Sequence, residues 1–395
     1  MTHAQPGRYQ RAIFDSVRTT HDIQYGSADF YDPNLNHDLD PLYLDLYEPV
    51  GDSATKRPLV ITLFGGAFLG GHKQWDDMVA WCDSLALYGY VCASIQYRLL
   101  FNPLNQESII RASYRAVQDT RAAIRFLKEM AASYRIDTTR IFLIGNSAGA
   151  ITSLLTAFIT SESERPSSTY GSGSGSDADD LGCLDCSGNS YTHSVNLAGI
   201  ISLWGGMWSL DWIDRHETTP VLLIHGTADG TVPFDSGYAF GTTLSPFVYG
   251  SVAIHRKLEE FAIPHAFQPF DSLGHNFYMD NRGFSFPNIY WEPVFTLGHQ
   301  FLYHIMNSML PATSKQVYPA HFHIRPNPVS NMLIISPPEH IDAYFIDLFS
   351  LQGNRITTRL CMKEETIDLG MLPKGMYTLG IQTHRFHQFI KLVVH

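Results

Sequence analysis

The chain has 395 residues, 45% of them hydrophobic, with 27 basic against 38 acidic side chains and a formal net charge of −11. That length exceeds one ordinary small domain and supplies a sizeable core, so one large and one small domain is the first expectation. An acidic balance with no basic stripe argues against a nucleic-acid or anionic-membrane partner and favours a neutral substrate; no run approaches the roughly 18 to 20 apolar residues that span a bilayer, so a soluble chain with no transmembrane segment is expected.

At the start, Thr2-His3-Ala4 before Gln5 resembles a small-x-small cleavage site, as though a signal peptide had been removed and Met1 added. From residue 40 strand-like and helix-like segments alternate, the pattern of a mostly parallel sheet with helices on both faces. LYLDLYEP alternates as a half-exposed strand does, and PLVITLFGG is a continuous apolar run closed by glycines, as expected of a buried strand. A helix-like segment from about Asp76 to Tyr88 precedes the strand YVCASIQYR. Between Ser108 and Tyr134, Ala116, Ala123, Ile124, Leu127 and Met130 recur at helical spacing while arginines and Lys128 take the other face. The strand RIFLIG and the helix AGAITSLLTAFIT follow, then the strands LAGIISLW, PVLLIHG and HAFQPFD, with helices near 236–261 and 289–309.

Two stretches break this rhythm. Residues 161–192 are rich in Ser, Gly and Asp and too poor in apolar side chains to pack, so they read as a flexible insertion: a candidate lid or a plain solvated loop. Within it Cys183 and Cys186 form a lone CxxC, weak as a zinc motif and better suited to stapling the loop of an exported protein; Cys82 and Cys92 sit in apolar runs as small hydrophobes. Near Pro311 to Pro319 helical patterning ends, and short alternating strands separated by Gly, Asn and Pro turns build a small all-β sandwich. The expected organisation is an α/β domain over residues 1–315 and a separate β module over 316–395.

The chemistry centres on Gly145-Asn146-Ser147-Ala148-Gly149, a G-x-S-x-G pattern between a continuous apolar strand and an Ala-rich helix. A serine on so tight a turn has a strained backbone, and flanking glycines remove side chains that would collide with strand and helix. The turn lifts the hydroxyl above the carboxyl edge of the sheet, at the positive end of the next helix. A hydroxyl is a poor nucleophile until a base takes its proton, so a histidine and a carboxylate are required later in the chain. Asp229 lies just after PVLLIHG, and His275 lies between Gly274 and Asn276 in a loop after the last strand; the order Ser, Asp, His is that of an α/β-hydrolase. Asp229 is also a turn former before Gly230, with Asp211 or Asp271 as fallback carboxylates, and His225 reads as a structural residue at a strand end. LFGGAFLGG lets the backbone approach a substrate, so the amides of Gly66, Ala67 and Ala148 are the expected oxyanion-hole donors. LWGGMWSLDW sets Trp204, Met207, Trp208 and Trp212 near the sheet's carboxyl edge; with Phe68 they line an apolar substrate pocket or belong to the core.

Residues of roughly 40 to 310 resemble an α/β-hydrolase of the esterase and lipase class, close to bacterial carboxylesterases with an HGGGF-type loop. The resemblance rests on FGGAF, Tyr97 to Leu99, GNSAG, HGTADGTVP and LGH, with Phe64 in the loop's histidine position and Ala67 in that of its last glycine. It implies cleavage of a carboxylic ester through an acyl-enzyme: Ser147 attacks, His275 relays the proton and Asp229 fixes its tautomer, with no metal or organic cofactor. An apolar pocket would favour short to medium acyl or aryl esters, without excluding a lipid-like one.

The tail is similar to the C-terminal sorting domain of the type IX secretion system of Bacteroidetes, through Pro326 to Pro328, Leu351 to Asn354, Leu372 to Tyr377 and Lys391. This implies export by the secretion machinery, then release or attachment at the cell surface; the alternative is a carbohydrate-binding or adhesive β-sandwich. Among enzymes, a lipase or phospholipase with 161–192 as its lid competes. So does a prolyl-oligopeptidase-like peptidase, although the few dozen residues before the core cannot form the propeller such enzymes carry. A surface adhesion protein with a degenerate hydrolase fold is the non-enzymatic alternative, opposed by the presence of Ser147, Asp229 and His275 in hydrolase order.

Overall fold

The computed structural model describes residues 7–31, 39–171, 179–279, 287–308, 322–338, 344–350, 355–361, 364–382 and 387–395. The expected cleavage site around Ala4 and the turn Leu351 to Asn354 lie outside them. The chain divides into two compact units, Met1–Ile305 and Met306–His395.

In chain order the strands of the first unit are β1 (Val17–Asp29), β2 (Leu39–Pro49), β3 (Arg57–Leu63), β4 (Val91–Ile95), β5 (Ile136–Asn146), β6 (Gly199–Leu203), β7 (Gly206–Met207), β8 (Val221–Gly226), β9 (Ser236–Tyr238), β10 (Phe247–Gly250) and β11 (His265–Phe270). The helices are α1 (Asp76–Leu87), α2 (Gln106–Glu129), α3 (Ala131–Tyr134), α4 (Ala148–Phe158), α5 (Ser251–Glu260) and α6 (Trp291–Ser308). Eight strands form one sheet in the order β1-β2-β4-β3-β5-β6-β8-β11; β2 runs antiparallel to β1 and β4, and all other neighbours are parallel. The α/β class read from the alternation is the observed one. Every residue of β3, β4, β6 and β8 is buried, as continuous apolar runs demand when helices cover both faces.

Three local expectations change. The alternation that begins at residue 40 leaves out β1, whose VRTTHDIQYGSAD is polar because an edge strand can leave much of its length to water. The helix expected over 236–261 shrinks to α5, because β9 and β10 pair as a short antiparallel ribbon. Gly250 explains the break: a Cβ there would stand 1.8 Å from the Pro233 carbonyl oxygen.

The insertion differs most. Its described parts are held by the polar face of α2, where Arg111, Arg121 and Arg125 are all buried. Arg111 donates to the carbonyls of Ser168 and Asp179, Arg121 and Arg125 both bind the Asp185 carboxylate, and Gln118 donates to the carbonyls of Leu181 and Cys183. Cys183 and Cys186 are joined as a disulfide with Cα atoms 5.2 Å apart. Low apolar content therefore does not leave these parts loose, because long cationic side chains satisfy the loop carbonyls directly.

The second unit contains β12 (His323–Arg325), β13 (Met332–Ser336), β14 (Tyr344–Ser350), β15 (Arg355–Cys361), β16 (Glu365–Asp368), β17 (Gly375–Gln382) and β18 (His387–Val394). They form two antiparallel sheets, β12-β13-β16 and β15-β14-β17-β18. Leu333 and Ile335 of one sheet share an apolar core with Ile346, Leu379, Ile381 and Leu392 of the other. Asn327 of the Pro-Asn-Pro turn donates to the Lys391 carbonyl at 2.8 Å and accepts from the Val393 amide at 3.1 Å, stitching the turn to the final strand.

Candidate active site

Ser147 sits between β5 and α4 with φ 51° and ψ −118°, a conformation that an L-residue holds only under constraint. The glycines around it do what the spacing requires. A Cβ on Gly145 would lie 2.2 Å from the Gly149 carbonyl oxygen, and one on Gly149 would lie 2.1 Å from that of Leu63. Any larger residue would push the helix off the strand and misdirect the hydroxyl.

Asp229 follows β8 and His275 follows β11, so both stand at the same carboxyl edge as Ser147. Their loops are zipped together: the amides of Thr227 and Ala228 donate to Phe270 and Leu273 carbonyls, each at 2.9 Å. The Ser147 Oγ lies 2.8 Å from His275 Nε2, and His275 Nδ1 lies 2.7 Å from Asp229 Oδ2. A carboxylate only accepts, so Nδ1 carries the proton and Nε2 receives the serine's. Asp229 Oδ1 accepts the amides of Thr231 and Val232 at 2.8 and 3.0 Å. Burial would raise the Asp229 carboxyl, but hydrogen bonds from His225 and His275 outweigh it and hold the group well below the usual carboxylate range. The fallback carboxylates do not take that place, which Asp229 fills: Asp271 Oδ1 accepts from Thr227 Oγ1 at 3.1 Å, and the backbone amide of Asp211 donates to Ser209 Oγ at 3.1 Å.

His225 has a larger part than a strand-end residue. Fully buried, its Nε2 lies 3.1 Å from both Asp229 Oδ2 and the Val232 carbonyl oxygen, and its Nδ1 lies 2.8 Å from Ser251 Oγ. Both neighbours of Nε2 accept, so this ring donates to the same carboxylate oxygen that holds His275.

Asp77 was not predicted. It is fully buried in the first turn of α1, and its Oδ2 accepts from Asn146 Nδ2 at 2.5 Å and from Tyr278 Oη at 2.9 Å, while Oδ1 accepts the Met78 amide at 3.0 Å. Burial dominates here and pushes its carboxyl up to about 6 despite these bonds. Asn146 precedes Ser147 and Tyr278 belongs to the His275 loop, so one carboxyl ties the two halves of the serine–histidine contact together. In sequence, Asp76-Asp77 reads only as acidic residues at a helix start.

The loop after β3 approaches the serine closely. A Cβ on Gly65 would come within 3.1 Å of Ser147 Cβ, and Gly66 and Ala67 have φ of 98° and 56°. Phe64, in the position where the resembling loop has histidine, stacks on Tyr97 with centroids 4.2 Å apart, and the Tyr97 hydroxyl donates to the Phe64 carbonyl at 2.6 Å. Stacking thus pins this loop where a polar side chain would otherwise do so. Among the described residues the amides of Gly66, Ala67 and Ala148 donate to no backbone carbonyl.

Of the residues expected in pocket or core, Trp204, Met207 and Phe68 lie in the core. Trp204 and Met207 are 0% exposed and Phe68 is 1% exposed. Trp204 packs edge-on against Phe277 and Tyr278, and half-buried Trp208 donates its indole N–H to Ser113 Oγ at 2.9 Å. An apolar cavity of about 300 Å³ instead opens at Ala67, walled by Leu69, Phe101, Ile109, Phe240 and Leu244. Trp204 serves as a wall behind the histidine loop, because large aromatics stabilise most when wholly buried. No described residue of 161–192 lines that cavity.

Residues 44–214 match the BD-FAE family, and residues 323–395 match the secretion system C-terminal sorting domain. A probable isoprenylcysteine alpha-carbonyl methylesterase of Arabidopsis thaliana is 27% identical over 249 residues, 56% of this chain and 50% of that protein. Carboxylesterase 3B of Mus musculus is 33% identical over 115 residues, 28% of this chain and 19% of the mouse protein. The chain thus spans half or less of the length of these curated relatives. Thermogutta terrifontis esterase 2, solved after phosphoramylation by tabun, shares the fold with a TM-score of 0.50 at 18% identity, over 76% of this chain and 98% of that one. The chain therefore joins an α/β-hydrolase domain of the esterase class to a C-terminal sorting domain of a secretion system.

Proposed function

We propose that this protein is a secreted serine esterase that cleaves short to medium acyl or aryl carboxylic esters through an acyl-enzyme, with Ser147, His275 and Asp229 as its catalytic residues. The observation that carries this reading is the continuous relay from Ser147 Oγ to His275 at 2.8 Å and on to Asp229 at 2.7 Å. In the first step His275 Nε2 takes the serine proton as Oγ bonds to the ester carbonyl carbon. The negative charge that develops on the carbonyl oxygen is met by the amides of Gly66, Ala67 and Ala148, aligned by the loop after β3 and the N-terminus of α4. His275 then hands its proton to the departing alkoxide, and water repeats the sequence in reverse to release the acid and restore Ser147.

The cavity at Ala67 supports the substrate class. Its walls offer hydrophobic contact to an acyl or aryl group and no charged partner, and a volume of about 300 Å³ suits a small group better than a long lipid chain. The sorting domain supports delivery outside the cell, with the secretion machinery as partner.

Turnover of p-nitrophenyl esters from acetate to laurate tests both parts of the proposal. Ser147→Ala is expected to lower kcat by roughly 10⁴-fold or more, and a fluorophosphonate should label wild type once, at Ser147. Undiminished turnover by Ser147→Ala overturns the nucleophile assignment. A rate that rises steadily to the longest chain, with a jump above the substrate's solubility limit, overturns the short-to-medium preference in favour of a lipase.

A further inference from the structure

His255 and Glu259 lie one turn apart on α5, and His265 is the first residue of β11. One ligand atom from each lies within 4.8 Å of the others. His255 Nδ1 and His265 Nε2 are 2.7 Å apart, and His255 Nε2 is 3.8 Å from Glu259 Oε2. His265 Nδ1 lies 2.8 Å from the Ile263 carbonyl oxygen, which can only accept, so Nδ1 carries the proton and Nε2 presents its lone pair to the cluster. Such an outer hydrogen bond to a backbone carbonyl fixes the tautomer and aim of metal-ligating histidines. The Phe267 ring, 4.8 Å from that of His255, restricts its rotation as well.

We propose that His255, Glu259 and His265 form a zinc site that clips α5 to β11, independent of the reading of Ser147. Two imidazoles and a carboxylate suit Zn²⁺, whereas Mg²⁺ and Ca²⁺ prefer ligand shells made wholly of oxygen. Bonds of about 2.0–2.1 Å to a tetrahedral zinc set its donors about 3.4 Å apart, so side-chain shifts of about 1 Å close the site, with water in the fourth position. Glu259 is exposed and both histidines are half-buried, so the ion has a path in. The site sits at the amino end of β11, opposite the edge that carries His275. It acts as a staple: β11 is the last strand of the sheet and leads into the His275 loop, and α5 begins with Ser251, which holds His225.

The test is calorimetric titration of the chelator-treated full chain with zinc chloride, paired with thermal melting. One equivalent should bind with a micromolar or tighter Kd, and Tm should rise by roughly 5 °C at a hundredfold excess over Kd. His265→Ala and Glu259→Gln should each weaken binding at least tenfold, and His255→Ala/His265→Ala should abolish both the binding event and the Tm rise. All variants should keep wild-type ester turnover in metal-free buffer within about twofold. Glu259→Gln, at an exposed position, keeps the test decisive if a histidine variant fails to fold. Magnesium chloride should give no event. Unchanged stoichiometry and affinity in the double variant would place the ion elsewhere and overturn the proposal, as would the absence of any zinc binding by wild type; the two rings would then be a hydrogen-bonded pair and nothing more.

Discussion

Two buried carboxyls flank the serine–histidine contact, and their surroundings push them in opposite directions. Asp229 takes two backbone amides on one oxygen and two imidazoles on the other, and its proton is held off far below the ordinary carboxylate value. Asp77 takes three hydrogen bonds, yet none comes from a group that can carry positive charge, and burial raises it to about 6. The same side chain is thus an anionic partner for two imidazoles in one place and, in the other, a brace that keeps its proton into weakly acidic solution. What separates them is the presence of histidine, because hydrogen bonds from neutral groups do not repay the loss of water around a full charge.

The contrast is sharpest at Asp229. Asp229→Asn presents an N–H or a weaker acceptor to His275 and favours the wrong tautomer, and kcat is expected to fall by roughly 10³- to 10⁴-fold with KM little changed. A loss under tenfold would remove the tautomer argument. His225→Ala, which takes away a second donor to Oδ2 and opens a space beside it, should lower kcat by roughly 10- to 100-fold, the worth of one hydrogen bond to a charged group. If the rate is untouched, His225 is only a packing residue.

Asp77→Asn separates the two carboxyls by pH. In the folded chain Asp77 keeps its proton to about pH 6, against an ordinary value of 3.8, so between those values the folded state binds more protons and stability falls as pH rises. Full ionisation by neutral pH weakens the fold by on the order of 3 kcal/mol. Asp229 has the opposite sign: its contribution is complete above its ordinary value of 3.8 and disappears as pH drops through its lower folded value. Urea unfolding from pH 4 to 7 should therefore show wild type losing stability relative to Asp77→Asn across this window. The variant's kcat should fall about tenfold, through looser alignment of Asn146 and Tyr278. Parallel stability curves would show that Asp77 is already ionised and overturn the comparison. The smallest effect is expected from removing the tail: a chain ending before residue 320 should keep ester turnover within about twofold, while its delivery outside the cell stops. A purified truncate without activity would make the β module part of the enzyme.

Much of this was readable along the chain. GNSAG, the run of buried strands and the order Ser147, Asp229, His275 are local patterns, since each residue's slot is set by the strand or turn immediately before it. Gly145 and Gly149 are required by contacts within five residues of one another and with the neighbouring β3. The gaps concern groups whose partners are distant in sequence. The arginines of α2 could be assigned only to the helix's other face, because the loop that covers them lies some 60 residues downstream. Trp204 stayed open between pocket and core because nothing nearby in sequence shows that Phe277 and Tyr278 close over it.

The sequence by itself determined the sheet from β2 onward, the tight turn at Ser147 and the slots of Asp229 and His275, because hydrophobic periodicity and backbone sterics act between near neighbours. Only the tertiary structure decided which side chains wall the cavity at Ala67, what His225 holds and how Asp77 joins Asn146, 69 residues away, to Tyr278, 201 residues away. Those contacts form when separate helices and loops are packed at one edge of the sheet, and a buried carboxyl reveals its character only once every group around it is in place.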